Sequence, residues 1–139
     1  MQALDIFEIL KCISDIGLFV LIWIVQLVIY PSFKYYEASD LIIWHNEYTK
    51  RISIVVMPLM LIQIFQTVYF MIINYSDGMQ TFYTVLVLLT WITTFMIFVP
   101  LHALISKGEH KSESLDKLVN YNWVRTLLWT LILFLNFYS

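Results

Sequence analysis

The sequence has few charged residues and only one cysteine. Asp, Glu, Lys and Arg make up 13% of its 139 residues, about half the share that is typical of soluble domains. The single cysteine, Cys12, excludes an intramolecular disulfide and a metal site built from several cysteines. The eight basic residues form no patch of the kind that binds nucleic acid, so we expect no nucleic-acid partner.

The charged residues are clustered, so that long apolar stretches between them contain none. Residues 16–33, 52–76 and 78–106 contain no Asp, Glu, Lys or Arg, and each stretch is long enough to cross a hydrocarbon core of about 30 Å as a helix. A fourth apolar stretch, 118–137, is interrupted by Arg125. The sequence therefore predicts an all-α membrane protein, a single domain (1–139) of four transmembrane helices at about 5–31, 40–75, 79–106 and 113–138.

The distribution of Lys and Arg predicts an orientation in the bilayer. With four crossings, the first and third loops lie on one side, and both termini and the second loop lie on the other. Only Lys11 falls on the side of the termini, whereas six basic residues fall on the other side: Lys34, Lys50, Arg51, Lys107, Lys111 and Lys117. Because short basic loops stay in the cytoplasm, we expect a multi-pass protein with loops 1 and 3 cytoplasmic and both termini outside.

Arg125 is the most informative residue of the fourth helix. Asn122 and Trp129, three residues before it and four after it, share its helical face. An Arg inside a bilayer costs about 3 kcal/mol on insertion scales, so it needs polar partners or water. One interpretation is a pocket in which Arg125 and Asn122 hold an anionic oxygen; the other is a brace, with Arg125 paired to Glu47 or Glu37 or reaching the headgroups.

Further polar residues of the first two helices have simpler interpretations. We expect Gln63 and Gln66, three residues apart, to form hydrogen bonds between helices. Near the N-terminus, a stripe of polar side chains is typical of a solvated helix face outside the membrane, although it is also compatible with a bound cation: Asp5, Glu8, Cys12 and Asp15.

The two halves of the sequence are weakly similar to each other. Tyr30-Pro31 and Val99-Pro100 both end an apolar stretch, and each is followed by a short polar loop and a helix with an Arg, Arg51 or Arg125. Two helical hairpins related by an internal duplication are one explanation. Such a duplication predicts that six residues gather at one end of the bundle: His45, Tyr48, Arg51, His102, Asn122 and Arg125.

Two motifs in the second half resemble a known family. Val99-Pro-Leu-His-Ala-Leu104, followed by Asn122-Trp-Val-Arg-Thr126, resembles the signature VPLN…L…N-x-x-R-T of the anthrone-oxygenase-like family of small four-helix membrane proteins. His102 stands where that family has Asn. The resemblance covers the whole chain in length and hairpin order. It implies a membrane protein that oxidises, or helps to oxidise, a lipophilic aromatic molecule without an obvious redox cofactor.

These considerations lead to a set of candidate site residues. We expect His102 and His45 to act as catalytic bases, because histidine titrates near neutral pH; a hydrogen bond from His102 to a loop carbonyl is an equally simple interpretation. We expect Arg125, Asn122, Tyr48 and Arg51 to bind the substrate. No cofactor is predicted, neither metal nor haem, since two or three histidines from separate segments lack the spacing of a metal motif.

The aromatic residues near the cytoplasmic side have two interpretations. They are typical of the aromatic belt at a membrane surface, and they are also suited to line a site for a flat ligand: Tyr30, Tyr35, Tyr36, Trp44, Tyr48, Tyr121 and Trp123.

Our leading hypothesis for function is a membrane protein that binds a small lipophilic aromatic molecule in the cytoplasmic half of the bundle. It extends to a cofactor-independent oxygenase, an oxidoreductase. The expected partners are the lipid bilayer and this ligand, and assembly into a homo-oligomer is compatible with the sequence. The alternatives are a transporter or channel subunit, which needs polar residues across the full membrane depth, and an accessory protein that assembles with another membrane protein.

Overall fold

The fold is described by a computed structural model for residues 5–74 and 76–138. It consists of four long helices, α1 (Ile6–Tyr35), α2 (Ala38–Ile73), α3 (Gly78–Ser106) and α4 (Ser112–Leu135), each long and apolar enough to cross a membrane. The described residues contain no strand. The predicted all-α bundle of four membrane-spanning helices is confirmed. We call the end with the connections 36–37 and 107–111 the double-loop end, and the opposite end the single-loop end.

Helices α1 and α3 each contain one wider, π-helical turn, at Val25–Ile29 and Thr94–Phe98. Each turn ends two residues before a proline, Pro31 or Pro100. Proline lacks an N–H group, and its ring pushes away the carbonyl of the preceding turn. A wider turn absorbs this mismatch without ending the helix, which explains why α1 continues to Tyr35 instead of stopping near residue 31. The matching positions of the two turns add a structural parallel to the weak sequence repeat.

The helices pack side by side around one core. Neighbouring helices α1 and α2 come close at Gly17, where an added Cβ atom would lie 3.1 Å from Leu59 Cδ1. Helix α4 packs against both α1 and α3, and α3 also packs against α2. Large apolar side chains such as Ile54, Ile72 and Met96 are exposed on the outer surface, as expected for a surface that faces lipid.

All four helical segments contribute to a polar cluster near the single-loop end. Asp15 of α1 is fully buried, and its carboxylate accepts hydrogen bonds from Gln63 Nε2 (2.6 Å), the Tyr83 hydroxyl (2.9 Å) and Asn136 Nδ2. Gln63 Oε1 in turn accepts from Trp129 Nε1 at 3.3 Å. These bonds tie α2, α3 and the end of α4 to one carboxylate on α1.

This cluster corrects two expectations from the sequence. Glu8 and Cys12 are exposed as predicted, but Asp15 lies in the core, so its assignment to a solvated face is wrong. Helical periodicity identifies residues that share a face but not which face meets the neighbouring helices. The predicted hydrogen bonds between helices form at Gln63, whereas both amide atoms of Gln66 are buried without a partner among residues 5–74 and 76–138.

We expect Asp15→Ala to lower the free energy of unfolding by about 1–3 kcal/mol, because the substitution leaves buried donors without an acceptor. Reversible unfolding in detergent micelles, followed by circular dichroism, measures this difference. Asp40→Ala is the matched control, since Asp40 is an exposed carboxylate; it should change the free energy by no more than about 0.5 kcal/mol. Equal effects of the two substitutions would contradict a structural role for the cluster.

Candidate ligand-binding site

A cavity of about 300 Å³ lies inside the bundle, in the half nearer the double-loop end. This volume is at the lower end of the range for small-molecule sites. Most of the wall is apolar and comes from all four helices, including Ile22, Val56, Met60, Trp91, Phe98 and Trp129. Three other lining residues are exposed at the outer surface, Met57 by 39%, Phe95 by 54% and Val99 by 50%. The cavity therefore opens sideways between α2 and α3, toward the lipid.

Arg125 is the one charged residue among the side chains that line this cavity. It is only 8% exposed. Its Nη2 donates to the Tyr30 hydroxyl at 3.4 Å and its Nη1 to Thr94 Oγ1 at 3.5 Å. Its guanidinium carbon lies 3.7 Å from the centre of the Phe98 ring, close enough for a cation–π interaction. Arg125 lies inside the bundle and shares one buried face of α4 with Asn122 and Trp129, as predicted.

The structure gives Arg125 no ion pair within the part of the chain that it describes. Glu47, one of the expected brace partners, instead accepts from Arg51 Nε at 2.6 Å on the surface. The guanidinium is thus surrounded by neutral oxygens and aromatic rings. Burying a charge without an opposite charge costs several kcal/mol, so an anion in the cavity would stabilise this arrangement.

Asn122 positions the Arg125 side chain from behind the cavity. Its Oδ1 accepts from Arg125 Nε at 3.0 Å, and its Nδ2 donates to Gln26 Oε1 at 2.9 Å. Gln26 is fixed in turn, because its Nε2 donates to the Val119 carbonyl at 3.2 Å and its Oε1 also accepts from Thr126 Oγ1 at 3.3 Å. Asn122 was predicted to bind substrate, but it does not line the cavity; it holds Arg125 in one orientation.

His102 and His45 lie in a hydrogen-bonded row of four side chains that starts at the cavity. The Tyr30 hydroxyl is 3.0 Å from His102 Nε2, His102 Nδ1 is 2.8 Å from His45 Nε2, and His45 Nδ1 is 3.0 Å from Ser106 Oγ. We call Tyr30, His102, His45 and Ser106 the polar row. Tyr30 and His102 line the cavity, whereas His45 lies behind His102 and is fully buried.

The other two predicted site residues have different positions. Tyr48 is buried and lines the cavity, where its ring packs against Phe33 with 5.5 Å between ring centres. Arg51 lies on the surface with 73% of its side chain exposed and is paired with Glu47, so it is not part of the cavity. Arg51 and Tyr48 are three residues apart on α2, and of the two only Tyr48 lines the cavity.

Two residues of the site, Thr94 and Phe98, were not recognised as such in the sequence: Thr94 was expected only to return its hydroxyl to a backbone carbonyl of its own helix, as it does to Thr90, and Phe98 had no assigned role. Tyr30 was a candidate for the aromatic belt or for a ligand wall. The structure places all three beside the Arg125 guanidinium. Pro31, directly after Tyr30, and Pro100, two residues after Phe98, were the features of the sequence that could have indicated these positions. A π-helical turn before a proline changes the direction in which the neighbouring side chains point.

His45 and His102 form a hydrogen-bonded pair. No three metal-binding side chains come together among residues 5–74 and 76–138. The adjacent nitrogens of His45 and His102 bond to each other, whereas His110 Nδ1 has no hydrogen-bond partner among the described residues.

Comparisons with known proteins do not identify the chain: no family model, no curated protein and no solved structure matches it.

Proposed function

We propose that this protein binds a lipophilic, weakly acidic small molecule, such as a phenol or enol with an aromatic body, in the cavity. The observation that supports this is the buried guanidinium of Arg125, which lines the cavity and has only neutral partners. An oxyanion on the ligand would supply the missing opposite charge in a region of low dielectric. The apolar wall would hold the aromatic body, with Tyr48, Phe98 and Trp91 around it.

The side opening suits a ligand that is dissolved in the membrane. Exposed Met57, Phe95 and Val99 form its edges, so a lipophilic molecule would enter from the acyl chains without first entering water.

The same arrangement supports the extension to a cofactor-independent oxygenase, as the resemblance to the anthrone-oxygenase-like family implies. An activated methylene next to an aromatic ketone would lose a proton to His102, and Arg125 would stabilise the resulting enolate. The enolate carbon then gives its electrons to dioxygen. The net reaction, R₂CH₂ + O₂ → R₂C=O + H₂O, needs no other reductant.

Our proposal for orientation places the double-loop end in the cytoplasm. Residues at or near that end include Lys34, Lys107, Lys111 and Lys117, and short basic loops are retained on the cytoplasmic side. The cavity would then lie in the cytoplasmic half of the bilayer, with both termini outside.

We expect Arg125→Lys to weaken binding of a nitrophenol with an octyl chain by about tenfold or more, because an ammonium group cannot reproduce the planar fork of donors. The absorption of the phenolate, titrated with protein in detergent, measures both the affinity and the ionised fraction. Arg51→Lys is the matched control, since Arg51 lies outside the cavity. Equal affinity of the wild type for the methyl ether of the same probe would contradict an oxyanion site.

We expect the wild type to consume one molecule of dioxygen per molecule of anthrone, which has an activated methylene, and His102→Gln to slow the reaction about 100-fold, because it removes the base. An oxygen electrode measures the uptake. His110→Gln serves as the control. Uptake no faster than in protein-free micelles would reject the oxygenase extension and leave the binding proposal standing.

We expect Ser39→Cys to be protected from a membrane-impermeant maleimide in intact cells and Ser76→Cys to be labelled, both in a Cys12→Ser background. Both serines are exposed, at the double-loop and single-loop ends respectively. Labelling in permeabilised cells shows that each cysteine is reactive. The reverse pattern would invert the proposed orientation.

A further inference from the structure

The polar row connects the cavity with one end of the bundle. It begins at Tyr30 and His102 in the cavity wall and ends at Ser106, the last residue of α3. The row passes through fully buried His45, whereas Ser106 is only partly buried. A buried chain of side chains therefore leads from the ligand cavity to the double-loop end.

Every member of this row both donates and accepts hydrogen bonds. Tyrosine and serine hydroxyls do so directly, and a neutral imidazole donates through one nitrogen and accepts through the other. The three distances, 2.8 to 3.0 Å, are those of ordinary hydrogen bonds. Such a chain has the chemical requirement for passing protons along it, which a chain that contained Lys, Arg or Trp would lack.

Arg125 sets the direction of the hydrogen bonds in the row. Because its Nη2 donates to the Tyr30 oxygen, the Tyr30 hydrogen is free to point at His102 Nε2. We therefore assign the His102 proton to Nδ1, which donates to His45 Nε2, and the His45 proton to Nδ1, which donates to Ser106 Oγ. All hydrogens of the row then point away from the cavity.

We propose that the polar row is a proton relay that carries the acidic proton of the cavity ligand to the double-loop end. The inference rests on the proposed function, since it needs an acidic ligand beside Tyr30 and Arg125. It gives Tyr30 a role in proton transfer besides its hydrogen bond to Arg125, it assigns a role to Ser106, and it describes the route that the proton takes.

The transfer conserves protons at each step. The ligand hydroxyl gives its proton to the Tyr30 oxygen, and Tyr30 gives its own to His102 Nε2. His102 Nδ1 passes a proton to His45 Nε2, His45 Nδ1 passes one to Ser106 Oγ, and the Ser106 hydroxyl proton leaves to water. The ligand is left as an oxyanion beside Arg125, both histidines stay neutral with the other nitrogen protonated, and no bond between heavy atoms changes.

The experiment follows ligand ionisation and proton release together, in phosphatidylcholine nanodiscs. The protein carries Cys12→Ser and Ser39→Cys, with fluorescein on the new cysteine as a local pH indicator at the double-loop end. Rapid mixing with the octyl nitrophenol gives the rate of phenolate formation from its absorption and the rate of proton release from the dye. In this protein we expect the two rates to be equal.

The variants distinguish a relay from a structural link. A glutamine side chain makes hydrogen bonds but does not shuttle protons, so we expect His45→Gln to slow proton release tenfold or more. We expect Ser106→Ala to slow it similarly and Ser106→Thr, which keeps a hydroxyl, to restore it. The His45→Gln result distinguishes the two, because a purely structural row would tolerate a side chain that keeps its hydrogen bonds, whereas a relay would not; the rescue by threonine shows that the hydroxyl of residue 106 is the group required.

Two results would overturn the relay, and they are distinguishable. Phenolate formation with proton release at the wild-type rate in both His45→Gln and Ser106→Ala would reject the relay but retain the oxyanion site. Absence of phenolate formation in the labelled protein with an intact polar row would reject both the relay and the proposed function. His110→Gln, which changes a histidine outside the row, should release protons at the wild-type rate.

Discussion

The central physical constraint of this structure is a guanidinium group at membrane depth that lacks an opposite charge within the described part of the protein. In a region of low dielectric, such a group is costly unless many weaker interactions surround it. The Phe98 ring, the Asn122 amide and two hydroxyls provide these interactions around Arg125. These partners approach the same planar group from three helices, Tyr30 from α1, Thr94 and Phe98 from α3 and Asn122 from α4 itself.

The π-helical turns of α1 and α3 place several of these partners. Thr94 and Phe98 lie within the turn of α3, and Tyr30 directly follows the turn of α1. A wider turn shifts the side chains after it around the helix axis, and Tyr30 and Phe98, each close to a proline, face the interior. The π-helical turns in the two halves of the chain thus place one hydroxyl from α1 and one from α3 beside Arg125. The polar contacts of Arg125 therefore depend on the irregular backbone before each proline.

The sequence predicted the number and type of helices because long uncharged stretches have few other solutions in a membrane. It also predicted the buried face of Arg125, since residues three and four apart on a helix share a face. It did not predict that Asp15 is buried, because that depends on how its helix is rotated against its neighbours, and for Arg51, four residues after Glu47, it left both a substrate contact and a surface ion pair open. Tyr30 kept two interpretations for a related reason: an aromatic residue near a membrane surface fits the belt and the interior equally well until the packing is known.

Trp129 stands between the two polar networks of the bundle. Its indole N–H donates to Gln63 Oε1 on the side of Asp15, and it has no lone pair with which to accept a proton. On its other side the ring faces Arg125, 5.7 Å from the guanidinium carbon. Among the described residues, Trp129 therefore separates the polar row from the Asp15 cluster, and the two ends of the bundle hold polar networks that share no hydrogen bond through this side chain.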